Sequence, residues 1–183
     1  MIVKFAADHA INGEVSTLLA RSASTSKRIK NLVTELGNTL GVPLRFQRIT
    51  SGREVIVDVS RAAAREQLAA HLVDSPDVRG ADVLCDQEKT PPLEPNDELV
   101  VSFNPATAPY KVVMQAAPGT SMQALVNSLA SDTPYRLLGR ALPDKRLALR
   151  LDLAQSVTLL AKKMNELAEV DYAQPNFTVQ AYP

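Results

Sequence analysis

The chain has few of the residues on which many kinds of protein site depend. Its 183 residues include one cysteine, two histidines and no tryptophan, and only 4% are aromatic. The single Cys85 excludes an internal disulfide and a thiolate-rich zinc site. Its apolar surroundings in "ADVLCD" indicate a buried side chain. We expect neither a metal site nor a bound cofactor.

Charge and hydropathy exclude further classes of partner. Twenty basic residues balance 20 acidic ones, so no overall field attracts nucleic acid or an anionic membrane. No apolar run approaches the roughly 20 residues that a membrane-spanning helix needs. The first residues, "MIVKF", have the pattern of a strand and not of a secretion signal. We therefore expect a partner that is neither nucleic acid nor membrane.

Two stretches of the sequence repeat each other. "EVIVDVSRAAAREQLAAHLVDSPDV" (Glu54 to Val78) aligns without a gap on "RLALRLDLAQSVTLLAKKMNELAEV" (Arg146 to Val170). In both, alternating apolar residues are followed by apolar residues at a spacing of about four, which is typical of a strand that leads into an amphipathic helix. Between them, "QEKTPPLEPND" (Gln87 to Asp97) is rich in proline and charge and indicates a linker.

The remaining segments extend this repeat to a complete fold. Each half has a further amphipathic helix, followed by two strands joined at Ser51-Gly52 or Pro143-Asp144. The predicted fold class is α+β, with two tandem ferredoxin-like (βαββαβ) units whose antiparallel sheets carry helices on one face. The predicted boundaries are residues 1–87, a linker at 88–97, and residues 98–183. Two candidates, "LVVSF" and "YKVVMQ", remain for the first strand of the second half, and "GEVSTLLARS" has no assigned place.

The stretch "PGTSMQA" contains the Gly-Thr-Ser-Met found around the nucleophile of subtilisin-like proteases. The D-[ST]-G and H-G-T-H motifs that supply the acid and base of that family are absent. His9 and His71 lack the corresponding flanks. We therefore expect no enzymatic activity and predict that Ser121 caps a helix from Met122 to Ala130.

A different part of the sequence resembles the same protease family's propeptides. "VDYAQPNFTVQAY" (Val170 to Tyr182) is similar to their last strand, which commonly reads V-x-Y-x-E-P-N and ends in an apolar or aromatic residue. The propeptides share the predicted order of elements. The resemblance covers Glu98 to Pro183, whereas the first half has "VRGADVLC" at the corresponding place and is a degenerate propeptide-like unit. The motif positions are held by Val170, Tyr172, Gln174, Pro175 and Asn176.

The resemblance implies an inhibitor, and a folding assistant, of a subtilisin-like serine protease, either in cis as a precursor or in trans. The propeptide sheet would pack on two protease helices, and the tail would lie in the substrate cleft like a product. Pro183 would follow P1 and resist cleavage. The protein would be secreted or periplasmic as part of a protease precursor, and cytoplasmic if the chain natively begins at Met1. The implied helix contacts are Tyr172, Gln174, Pro175 and Asn176, and the implied cleft residues from P4 to P1 are Val179, Gln180, Ala181 and Tyr182.

Two other classes of function remain open. A non-catalytic regulatory or protein-interaction module with the ferredoxin-like fold accounts for everything except the C-terminal motif. An RNA-binding pair of such units needs exposed aromatic residues on its central strands, and only Phe46 in the first half has a suitable position.

Overall fold

The computed structural model describes residues 1–20, 27–83 and 98–176, which form a mixed α+β structure with two four-stranded antiparallel sheets. No helix within these ranges is long and apolar enough to cross a bilayer. The elements, in chain order, are β1 (Ile2–Phe5), α1 (Ala10–Ala20), α2 (Lys27–Leu40), β2 (Leu44–Ile49), β3 (Val55–Val59), α3 (Arg61–Val73), β4 (Val78–Val83), β5 (Glu98–Phe103), α4 (Ala108–Gln115), α5 (Gln123–Leu129), β6 (Leu137–Ala141), β7 (Leu147–Leu151), α6 (Leu153–Met164) and β8 (Val170–Gln174).

The chain divides into two compact units that do not follow the order of the sequence. Unit 1 consists of Met1–Ser60 and Ala154–Pro183, and unit 2 consists of Arg61–Leu153. The strand order is β2-β3-β1-β8 in the first sheet and β4-β5-β7-β6 in the second. One edge strand of each sheet therefore comes from the other half of the sequence: β8 joins the sheet of β1 to β3, and β4 joins the sheet of β5 to β7. We call α3 with β4 the first arm, and α6 with β8 the second arm.

The sequential domain boundaries expected from the sequence are wrong for this structure. The first arm pairs through β4 with β5, and the second arm pairs through β8 with β1. The periodicity of the repeat does not distinguish the two arrangements, because β1 and β5 each bury a valine and a phenylalanine two residues apart on one face. The expected linker at 88–97 lies outside the described residues.

Unit 1 has an apolar core between its helices and one face of its sheet. Helix α2 ends in a Schellman turn, in which the N–H of Val42 donates to the carbonyl of Gly37 at 2.8 Å. Gly41 adopts a φ of 68° there, which suits a residue without a side chain. This turn directs the chain into β2. The core includes Val3, Phe5, Ile11, Val15, Ile29, Val33, Val55, Val57 and Met164.

Unit 2 has a comparable core, and its first strand is β5. Of the two candidates left open by the sequence, "LVVSF" forms this strand and "YKVVMQ" lies in helix α4. The hydroxyl of Thr107 accepts a hydrogen bond from the N–H of Tyr110, and Pro109 lies in the first turn. These are helix-start signals that outweigh the β-branched residues. The core includes Leu72, Leu99, Val101, Val113, Val126, Leu147 and Leu149.

The first arm is attached to unit 2 by a polar contact as well as by its strand. The hydroxyl of Tyr135, just before β6, donates to Oε1 of Gln67 in α3 at 2.9 Å. Burial raises the pKa of Tyr135 to about 12. A buried hydroxyl needs such a partner, so this hydrogen bond helps to hold α3 in unit 2.

Candidate functional site

Strand β8 carries the described part of the propeptide-like motif and lies at an edge of the unit 1 sheet. It pairs antiparallel with β1, with Lys4 opposite Tyr172 and Ile2 opposite Gln174. Pro175 and Asn176 follow the strand, and Asn176 is exposed. The predicted cleft residues Val179, Gln180, Ala181, Tyr182 and Pro183 lie outside the described residues.

The pairing of β8 with β1 determines which side chains share a face of the sheet. Val3 and its partner Ala173 are buried, with exposed fractions of 0% and 6%. Because neighbouring residues of a strand point to opposite faces, their neighbours lie on the other face. That face, which we call the Tyr172 face, carries Ile2, Lys4, Tyr172 and Gln174. Gln174 is exposed and the other three are half-buried.

Tyr172 is held by a group of polar residues on this face. Its hydroxyl donates a hydrogen bond to Oε1 of Glu54, which directly precedes β3. Thr50 Oγ1 donates to the other carboxylate oxygen, Oε2, at 2.7 Å. The ammonium group of Lys4 lies 5.9 Å from the centre of the Tyr172 ring, in the range of a cation–π interaction. The aromatic ring is therefore oriented by three residues from the first half of the chain.

The hydrogen bond between Tyr172 and Glu54 shifts the pKa values of the two groups in opposite directions. It lowers the pKa of Glu54, to which the hydroxyl of Thr50 also contributes. It raises the pKa of Tyr172 because the bond requires the phenolic proton. At neutral pH the pair therefore consists of a carboxylate and a protonated phenol.

The outer edge of β8 is closed by the side chain of Asn165, which follows α6. Its Nδ2 donates to the carbonyl of Ala173 at 2.9 Å, and its Oδ1 accepts from the N–H of Ala173 at 2.6 Å. These two bonds take the place of the two backbone hydrogen bonds that a neighbouring strand would make with Ala173. The next residue with the same orientation, Pro175, has no N–H to offer. An extended peptide is therefore not expected to add to this edge, and the Tyr172 face is the more suitable contact surface.

Strand β4 in unit 2 is the structural counterpart of β8 and lacks its side chains. Gly80 pairs with Ser102, and Asp82 pairs with Val100, in the register that Tyr172 and Gln174 have with β1. Both pairings shift register at the corresponding point, after Val78 in β4 and after Val170 in β8. Only β8 therefore presents an aromatic residue on this face.

The serine of "PGTSMQA" does not have the predicted capping role. Helix α5 begins at Gln123, and its N-cap is Met122, with no side-chain capping bond. Ser121 forms an isolated β-bridge with Arg140 and is exposed. The prediction was wrong because the backbone of Met122, whose N–H donates to Gly139 at 2.9 Å, continues pairing with β6 before the helix starts.

The two histidines have different surroundings. His9 stacks on Phe5 with ring centres 4.8 Å apart, and its Nδ1 accepts from the N–H of Ile11 at 3.2 Å. His71 is exposed on α3. Within residues 1–20, 27–83 and 98–176, no group of three His, Cys, Asp or Glu side chains could hold a metal ion.

Comparisons with family models, with curated proteins and with solved structures each found no match to this chain.

Sequence reasoning missed the residues that support Tyr172. Glu54 lies 118 positions before Tyr172, and no spacing rule connects positions so far apart. Asn165 had a weak signal, since asparagine after a helix often bonds to nearby backbone. Asn165 can close the edge of β8 only because β8 lies beside it in the folded chain.

Proposed function

We propose that both units are ferredoxin-like and that unit 1 is a propeptide-like inhibitor of a subtilisin-like serine protease. The observation that carries the proposal is the position of the V-x-Y-x-Q-P-N motif. Its first five residues form β8, an edge strand of a four-stranded antiparallel sheet, with Tyr172 and Gln174 on the face opposite the buried Val3 and Ala173. A sheet face of this kind is the surface that the resemblance assigns to protease helices.

Each part of the motif has a distinct task in this proposal. Tyr172, oriented by Glu54, contributes apolar contact area, and Gln174 and Asn176 accept hydrogen bonds from helix N-termini of the protease. Amides lack the charge of the acids usual in the motif, which forfeits about 0.3 to 1 kcal/mol for each position. The affinity of the complex therefore depends more strongly on the tail.

The tail would occupy the substrate cleft of the protease. Main-chain hydrogen bonds supply affinity there, and alternate side chains supply specificity. Val179 and Tyr182 suit apolar S4 and S1 pockets, and the small Ala181 suits a narrow S2 site. In this proposal the protein is not an enzyme, and Pro183 at P1′ disfavours its cleavage as a substrate.

The proposed inhibitor is composite, because β8 pairs with β1 from the other end of the sequence. The residues that orient Tyr172 also come from the first half. This differs from a self-contained inhibitor at residues 98–183, and it gives the first half a role in presenting the motif.

Titration of a panel of subtilisin-like proteases tests the proposal. The intact protein should inhibit at least one of them, and deletion of Val179 to Pro183 should weaken inhibition by about 100-fold or more, since it removes the main-chain pairing and both pocket side chains. The deleted protein should retain the far-UV circular dichroism of the parent.

A matched pair of substitutions tests the Tyr172 face. Gln174→Arg should weaken inhibition, whereas Asp82→Arg, at the equivalent place on β4, should have little effect. If the intact protein binds none of these proteases, the proposal is wrong, and the alternative of a regulatory or protein-interaction module is favoured. Equal inhibition by the deleted protein would refute the role of the tail.

A further inference from the structure

The two arms pair with β1 and β5 in the same register, and the register shifts at the same point in both pairings. Phe5, Lys4, Val3 and Ile2 in β1 pair with β8, and Phe103, Ser102, Val101 and Val100 in β5 pair with β4 in the same order. On the face that carries Val3 and Val101, both strands bury a valine and a phenylalanine, whereas on the opposite face Val100 is buried and Ile2 is half-buried. Each arm therefore meets the same backbone pattern on either strand, and pairing alone does not determine the strand on which an arm docks.

The connections into the arms are unusually short. Only Ser60 lies between β3 and α3, and only Asp152 lies between β7 and α6. Connections of this type commonly have about 2 to 6 residues, which allow a helix to fold back over the sheet it has just left. A shorter connection makes that reversal difficult, and short hinges favour the exchange of elements between units.

Both hinges also have their backbone bonded to unit elements. The N–H of Ser60 donates to the carbonyl of Pro43 at 2.9 Å, and the N–H of Asp152 donates to the carbonyl of Arg136 at 2.8 Å. These bonds extend the strand pairing up to the last residue before each helix. The strand pairing therefore ends at the same place in each half.

From these observations we propose that the β1 edge also accepts the second arm of another copy of this chain. The protein would then form a dimer in which each copy lends α6 and β8 to its partner. The contacts within each unit would be those already present in the single chain, so the dimer gains no new interface inside the units. The balance depends on the chain concentration relative to the effective concentration of the arm within one chain.

This effective concentration predicts when the dimer appears. Exchange within one chain does not depend on the chain concentration, so it is favoured when the protein folds in dilute solution. In concentrated solution an arm meets the β1 edge of a second chain before it meets the β1 edge of its own chain. Release of a docked arm requires unpairing of β8, so the two forms should separate by size and interconvert slowly.

Refolding from denaturant at a low and a high chain concentration tests the proposal. A concentration increase of about 100-fold should raise the dimer fraction by at least about fivefold, as measured by size-exclusion chromatography with light scattering. The unmodified protein serves for this measurement. A chain that is monomeric at every refolding concentration would overturn the proposal.

A cysteine pair identifies the docked strand in any dimer that forms. In a Cys85→Ser background, Ile2→Cys with Gln174→Cys should give a disulfide within the chain in the monomer and between chains in the dimer. Non-reducing electrophoresis of the separated forms distinguishes these outcomes. A dimer without the disulfide between chains would refute exchange of the second arm.

Lengthening the hinge supplies the matched control. A Gly-Ser-Gly insertion after Asp152 should lower the dimer fraction about threefold or more, because the longer hinge lets the arm fold back on β5, in the sheet that it has just left. The same insertion after Asp144, at the β6–β7 turn, should leave the dimer fraction unchanged. Equal effects of the two insertions would contradict the role assigned to the hinge.

Discussion

The phenol of Tyr172 and the carboxylate of Glu54 form a hydrogen bond between the two chain segments that make up unit 1. Tyr172 lies on the second arm, and Glu54 lies at the turn that leads into β3. The bond therefore exists only because the second arm docks on the first half of the chain. It is a local reporter of that docking and of the state of the proposed contact face.

Acid should weaken this attachment. The folded protein holds the pKa of Glu54 below its ordinary value of 4.5, so its stabilising contribution is present above that value and is lost as the pH falls through the lower folded pKa. Urea unfolding at several pH values should show a parent that is more stable than Glu54→Gln near neutral pH, with a difference that shrinks in acid. A difference independent of pH would contradict this account.

The opposite sign applies to Tyr172 at high pH. Its folded pKa is raised above 10.0, so its contribution is complete below that value and is lost as the pH rises through the folded pKa. Tyr172→Phe should remove this alkaline loss. Spectroscopic titration of the phenolate should give a lower pKa for Tyr172 in the Glu54→Gln protein than in the parent.

A cysteine pair should distinguish the exchanged arrangement from the sequential one in the monomer. In the Cys85→Ser background, Ile2→Cys with Gln174→Cys should oxidise rapidly, because facing strand residues have Cα atoms about 5.5 Å apart or closer. Val100→Cys with Gln174→Cys tests the sequential fold. In that fold β8 would pair with β5, and the two cysteines would face each other. That pair should remain reduced, and its ready oxidation would show that the second arm docks on β5.

Asn165→Ala should both destabilise the protein and expose an edge. Loss of its two hydrogen bonds to Ala173 should cost about 0.5 to 1.5 kcal/mol in the free energy of unfolding. The uncovered N–H and carbonyl of β8 should also promote association between chains, detected by light scattering on storage. Asn165→Asp, which keeps an acceptor for the N–H of Ala173, should lose less stability than the alanine variant.

Gly139→Ala should destabilise unit 2. A Cβ at this position in β6 would overlap Cγ2 of Val126 in α5, so the helix would have to move away from the sheet. Overpacking of this kind costs about 1 to 3 kcal/mol, measurable by denaturant unfolding. Gly13→Ala is the control, because no atom in α1's surroundings lies within 4 Å of the added Cβ. An equal loss in both variants would contradict the packing explanation.

Local sequence patterns were sufficient to predict most of the helices and strands. The alternating valines before Ser60 and leucines before Asp152 predicted β3 and β7, and the spacing of four that follows predicted α3 and α6. The mixed α+β class is confirmed by the two antiparallel sheets. Periodicity succeeds here because each element must bury one face, whichever neighbour covers it.

Capping positions were less predictable than periodicity. Ser121 was expected to cap a helix that starts at Met122, yet α5 starts at Gln123 with Met122 as its N-cap, because backbone pairing with Gly139 and Arg140 takes precedence. The segment "YKVVMQ" has the composition of a strand and forms a helix after Thr107 and Pro109. In both places a bond to a neighbouring segment or turn outweighed the intrinsic preference of the residues.

The strand that each arm joins could not be predicted from these local patterns. Val3 with Phe5 and Val101 with Phe103 offer the same apolar pattern, so the hydrophobic effect favours docking on either strand without distinguishing them. The one-residue hinges at Ser60 and Asp152 restrict where the following helix can go. This restriction leaves no trace in the periodicity of apolar residues. The Tyr172–Glu54 bond and the composite unit 1 both follow from that path, because residues distant in sequence become neighbours only when the arms have docked.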